Sequence, residues 1–102
     1  MDVEAVLRQV QRESRNATLE THSVPFLADL SKQFRDSVPT LMYQGHDYRG
    51  DGASTVRING ATLRVGQRNR GVELREILSD SVILRFDGTE FRLRALNSWV
   101  NL

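Results

Sequence analysis

With 102 residues, 39% of them hydrophobic and 26% charged, the chain has room for one globular domain and is too apolar to be a disordered one. A net charge of +1 argues neither for a nucleic-acid protein nor for an acidic one. The absence of cysteine excludes disulfides, thiol catalysis and zinc sites of the Cys type. No apolar run approaches the roughly 18 residues a membrane span requires, and Met1-Asp2-Val3-Glu4 lacks the basic start of a signal peptide. The chain is therefore either cytoplasmic or a soluble piece of something larger.

In chain order, residues 1–22 read as a short helix followed by a polar linker. Val3, Val6, Leu7 and Val10 form one apolar stripe at i, i+3, i+4, i+7 spacing, and the stripe then runs out into an aperiodic stretch ending at His22. So narrow a stripe favours fraying or a linker role, and sets residues 1–22 apart from a domain over 23–102. A second helix is better marked. Ser23 precedes Pro25, which suits a first helical turn; Phe26, Leu27, Leu30 and Phe34 supply an apolar face, and Pro39 ends it.

From Thr40 onward the pattern predicts six strands, at about 40–48, 54–58, 61–66, 72–78, 82–86 and 89–94. Two Asx-Gly pairs, Asn59-Gly60 and Asp87-Gly88, sit between alternating segments. Both tolerate the positive φ that a type I′ hairpin turn demands at its two central positions. Val56, Ile58, Leu63, Val65, Val82, Leu84, Phe86, Phe91 and Leu93 share the inward phase. Arg57, Arg64, Arg85, Glu90, Arg92 and Arg94 share the outward one. The fourth strand changes phase between Leu74 and Ile77, which predicts a β-bulge near Arg75-Glu76 or a strand shared between two sheets. Gly45 marks a bulge or a close backbone approach in the first strand. The expectation is a mainly β fold: a small antiparallel β-sandwich or half-open barrel of about six strands, preceded by one or two short N-terminal helices.

Chemistry is sparse. Neighbouring residues on a strand point to opposite faces, so Asp47 cannot orient His46 as a general base, and no serine sits in a nucleophile elbow. Glu73 and Glu76 are expected to pair with arginines on the wet face. The glycines never assemble a phosphate loop ahead of a helix. The sequence thus predicts no enzyme and no catalytic, cofactor-binding or metal-ligating residue. A small barrel with outward arginines could bind single-stranded nucleic acid. That mode wants exposed aromatics among the arginines, and Phe86 and Phe91 lie in the buried phase. Tyr43, Gln44, His46, Tyr48 and Arg49 on the first strand, with Arg57 on the next, read instead as a partner-binding patch, because tyrosine and arginine are enriched at protein contacts. The alternative is that both tyrosines cap the core and reach water through their hydroxyls. If the first strand lies at a sheet edge, a partner strand could add to it.

Between Val38 and Leu93 the order of motifs resembles the periplasmic homology-region domain of the type II secretion system assembly factor B family (general secretion pathway protein B). The residues that carry the resemblance are Val38-Pro39-Thr40-Leu41, Gly45-His46-Asp47-Tyr48, Val56-Arg57-Ile58-Asn59-Gly60 and Val65-Gly66, then Gly71 to Ile77 and Val82 to Leu93. Departures fall at Ser54-Thr55, at Val65 and at Ser79-Asp80-Ser81, which are surface and turn positions. The resemblance implies a non-enzymatic scaffold without cofactors, in the periplasm of a Gram-negative bacterium, tethered to the inner membrane by an anchor outside this chain. It implies contact with the periplasmic N-terminal domains of the outer-membrane secretin, which the scaffold helps to place or stabilise. Other inner-membrane secretion components and peptidoglycan are further expected partners, and nucleic acid is not. A related homology region, in the inner-membrane clamp protein C of that machine, folds as two packed three-stranded sheets, and the same arrangement is expected here. A peptidoglycan-binding anchor module is the alternative function, with a nucleic-acid-binding small barrel behind it.

Overall fold

A computed structural model describes residues 21–50 and 52–101. The first predicted helix lies outside the described residues. The second forms in two pieces, a 3-10 turn at Leu27–Asp29 and a six-residue helix α1 (Lys32–Ser37). The break has a local cause. Leu30 is extended (φ −86°, ψ 169°), and Ser31 then restarts the helix as its N-cap, its Oγ accepting from Phe34 N–H at 3.2 Å. Extended Val38 ahead of Pro39 closes α1, as predicted.

Seven strands follow: β1 (Tyr43–Asp47), β2 (Thr55–Ile58), β3 (Ala61–Leu63), β4 (Arg68–Asn69), β5 (Val72–Ile77), β6 (Ser81–Phe86) and β7 (Thr89–Arg94). They make two antiparallel sheets in the orders β1-β2-β3 and β4-β5-β6-β7, so the mainly β expectation holds with one sheet of four strands in place of three. The added strand is β4, which pairs Arg68 with Glu73 and Asn69 with Val72 across an Arg70-Gly71 turn. At Arg70 and Gly71 φ is 52° and 78°, nearly the values at Asn59-Gly60 (53°, 80°) and Asp87-Gly88 (50°, 78°). The described residues thus contain three turns of I′ character. An arginine in the left-handed region is no sequence signal for one.

Both predicted irregularities are present. The β5 register slips between Leu74 and Glu76, leaving Arg75 as the extra residue. The β1 register slips between Tyr43 and Gly45, and a Cβ on Gly45 would lie 3.1 Å from Arg57 Cβ. The core lies between the sheets. Tyr43, Val56, Ile58 and Leu63 from the first meet Val72, Leu74, Ile77, Val82, Leu84, Phe91 and Leu93 from the second, with Leu27, Val38 and Leu41 closing the cluster. Phe34 of α1 stacks edge-on against Phe91 and Phe86 at ring-centroid distances of 6.0 and 6.4 Å.

The outer face of the larger sheet departs from simple alternation. Ser81, Ile83 and Arg92, all in the outward phase, are buried. Glu76, Ile83 and Arg92 are cross-strand neighbours. His22 bonds Glu76 at 2.9 Å, while Pro25 O accepts from Arg92 N–H at 2.9 Å, so the segment from His22 to Phe26 straps across this row. Arg92, expected in water, lies beneath the strap. Its Nε donates to Ser81 Oγ at 2.8 Å, its Nη2 pairs with Asp80 at 3.3 Å, and its guanidinium sits 5.0 Å from the Phe26 ring centroid. Of the two glutamates expected to pair with arginines, Glu73 does so, whereas Glu76 is held by His22 instead. Glu73 bonds Arg75 at 2.6 Å and Arg68 at 3.0 Å, and those contacts, Arg75 first, hold its carboxyl below the usual range.

Among the described residues, cutting the chain to begin at Ser23 removes Thr21, the His22–Glu76 contact, a pair of the type worth about 0–1 kcal/mol, and the 3.1 Å hydrogen bond that Val24 N–H donates to His22 Nδ1. A chain starting at Ser23 should therefore melt no more than about 8 °C below the full chain. A larger fall in calorimetry would place residues 1–22 in the core.

Candidate functional site

The six predicted partner-binding residues all lie on β1, just beyond it or on β2, but they divide into two groups. Tyr43 and His46 face the core. Tyr43 is 3% exposed, and its hydroxyl meets His46 Nδ1, while His46 Nε2 lies 2.9 Å from Leu78 O. A carbonyl can only accept, so Nε2 carries the proton and Nδ1 accepts from the phenol. Burial pushes the Tyr43 phenol up, which keeps it a donor. This relay ties β1 to the end of β5 and leaves neither ring free for a partner.

The other four are exposed. Gln44 is the extra residue of the β1 bulge, and its Oε1 accepts from Gly60 N–H at 2.8 Å, steadying the Asn59-Gly60 turn. Arg57 projects from the outer face opposite Gly45. Beyond the strand, Arg49 Nε pairs with Asp47 at 3.1 Å and its N–H donates to Ser54 Oγ at 2.8 Å. Tyr48, 44% exposed, folds its ring towards Gly50.

What they flank is an open sheet edge. The two-residue turn closes on the pair Ile58–Ala61, so alternation directs the main chain of Arg57 and Thr55 towards Gly45 and Asp47 of β1. The N–H and C=O of His46 consequently point away from the sheet. Among the described residues no strand covers this edge from Gln44 to Asp47. Its start is covered by the C-terminal segment, where Leu41 and Trp99 exchange main-chain hydrogen bonds of 2.7 and 2.9 Å and Ser98 Oγ accepts from Tyr43 N–H at 2.8 Å. The sequence reading assigned this segment no role; the chain's single tryptophan was the available signal. No group of three or more His, Asp or Glu placed to hold a metal occurs among the described residues.

No curated protein matches the chain. It is similar to the crystal structure of Dickeya dadantii GspB from the type 2 secretion system, with 30% sequence identity and a TM-score of 0.57, covering 61% of this chain and 76% of that one. The family model described as type II secretion system protein B matches residues 38–95, more than half of the chain and all seven strands. On that match, the chain belongs to the type II secretion system protein B family.

Proposed function

We propose that this domain is a non-enzymatic scaffold of type II secretion, held in the periplasm by an inner-membrane anchor outside this chain. It binds the N-terminal periplasmic domains of the outer-membrane secretin by accepting a strand along β1. The family supports the process, and the observation that carries the mode of binding is the uncovered edge of β1, with the His46 main chain directed outward. Strand addition draws its affinity from main-chain hydrogen bonds, and the exposed Tyr48, Arg49 and Arg57 would select the partner. The Asp47–Arg49 pair at the end of the edge discourages indiscriminate pairing.

A pair of substitutions separates backbone from side chain. His46→Ala removes only the Tyr43–Leu78 relay, whereas His46→Pro also removes the outward N–H. With both variants folded by circular dichroism, His46→Ala should capture a secretin periplasmic fragment within about threefold of the parent. His46→Pro should lose at least about tenfold, the loss of roughly one charge-free hydrogen bond plus strand distortion. Equal capture by both variants would exclude strand addition at β1. Retention of the parent on purified cell wall, without capture of the secretin fragment, would move the assignment to a peptidoglycan anchor.

A further inference from the structure

On the opposite sheet, the strap that covers β7 leaves it early. Phe26 makes a single parallel bridge with Arg92 of β7, with Pro25 O accepting from Arg92 N–H, and the chain then turns away into Leu27–Asp29. A cleft of about 450 Å³ opens where the strap departs, with Phe26, Leu27, Ala28 and Trp99 on its apolar side and Arg94 and Asp29 among its polar lining. Leu84 and Phe91 form a hydrogen-bonded pair at this end of the hairpin alternation, so Arg94 falls in an outward-facing position, like Arg92. Its C=O is taken by Asn97 N–H at 3.0 Å, but its own N–H has no acceptor among the described residues. The Arg94 guanidinium is exposed, stands 5.6 Å from the Phe26 ring centroid and has no carboxylate within ion-pair distance among the described residues.

Trp99 lines the same cleft, and Leu96 stands in the turn that leads to it. The Trp99 indole N–H is buried without a hydrogen-bond partner, although buried donors are nearly always satisfied. Leu96, in the turn between Arg94 and Asn97, is 59% exposed and has φ 63°, an uncommon conformation for a bulky side chain. The cleft therefore gathers an open main-chain donor, a guanidinium without an ion-pair partner among the described residues and an apolar side formed by Phe26, Leu27 and Trp99.

We propose that this cleft docks an extended peptide segment of a partner protein, one that carries an apolar residue beside a carboxylate. The segment continues the line of the strap along β7. Its main-chain carbonyl accepts from Arg94 N–H, its apolar side chain lies between Phe26 and Trp99, and its carboxylate meets the Arg94 guanidinium. Such a segment supplies acceptors and an anion together, which neither a neutral glycan nor a cationic peptide does. The site is on a different sheet from β1 and stands whether or not β1 binds a secretin.

Trp99 is the only tryptophan, so its emission reports directly on the cleft. A library of random linear decapeptides displayed on phage, selected on the immobilised full chain, should yield peptides sharing an apolar residue next to Asp or Glu. Synthetic copies should shift the Trp99 emission on titration. Ala28→Phe, which fills the cleft from an exposed position, and Arg94→Gln should each weaken their binding at least tenfold, while Arg64→Gln, exposed just past β3 on the other sheet, leaves it unchanged. Selection yielding no peptide, or peptides that bind Ala28→Phe and Arg94→Gln as well as the parent, would overturn the proposal. So would peptides whose binding leaves the Trp99 emission unmoved.

Discussion

Replacing Phe91 by alanine should destabilise the domain by about 3–5 kcal/mol, the range for truncating a buried phenylalanine. The whole stability of such a domain is of order 5–15 kcal/mol, so the variant should lose a large share of it. Phe91 is fully buried, faces Leu84 across the β6–β7 pair and takes the edge of the Phe34 ring from α1. Its loss opens a cavity between sheet and helix that α1, only six residues long, is poorly able to fill by shifting. Urea denaturation followed by far-ultraviolet circular dichroism measures the effect. Half-buried Phe86, which meets the same helix, makes the comparison: Phe86→Ala should cost clearly less. Near-parental stability of Phe91→Ala would mean that the sheets do not pack through this ring.

The second large effect is expected at Arg92. Removing one partner of a buried charged pair typically costs about 3–5 kcal/mol, because the remaining group stays desolvated. Asp80 is 18% exposed and regains some water, so Arg92→Ala should fall near the lower end, about 3 kcal/mol. The substitution also removes the donor to Ser81 Oγ and the cation over Phe26, two of the contacts beneath the strap. Arg92→Met keeps the aliphatic stem and should recover part of the loss. Limited proteolysis adds a local readout, since the segment from His22 to Phe26 should become cleavable in Arg92→Ala before the β domain does. Parental stability with a protected strap would show that Arg92 does not hold that segment down.

The hairpins and the inward phase were legible from local chemistry, except at Val65, which lies past the end of β3 and is exposed. Asn59-Gly60 and Asp87-Gly88 announce their turns because φ > 0 is a property of those residues, and a period of two assigned Leu84, Phe91 and Leu93 correctly to the core. Local reading also placed both irregularities: the failure of alternation after Leu74 located the bulge in β5, and a glycine within a strand marked the irregularity in β1 beside Gln44. Strand β4 escaped it, since two residues carry no period and Arg70 carries no turn signal. The split of the candidate patch escaped it as well. Tyr43 and His46 reach the core face together because Gln44 is an extra residue, and only the paired register shows which residue is extra.

What a strand's own residues determine is which side chains share a face; what covers that face is decided by segments distant in sequence. Arg92 alternates outward as its position requires, yet it is buried because residues 22–26 arrive over it from more than sixty positions away. Leu41 and Trp99 meet in the same way, and their bridge leaves β1 uncovered only from Gln44 onward. The cleft beside Arg94 exists because the strap turns away at Leu27. Periodicity records a residue's neighbours along the chain. The open edge and the cleft are defined by where non-local segments stop, and only the assembled tertiary structure sets those endpoints.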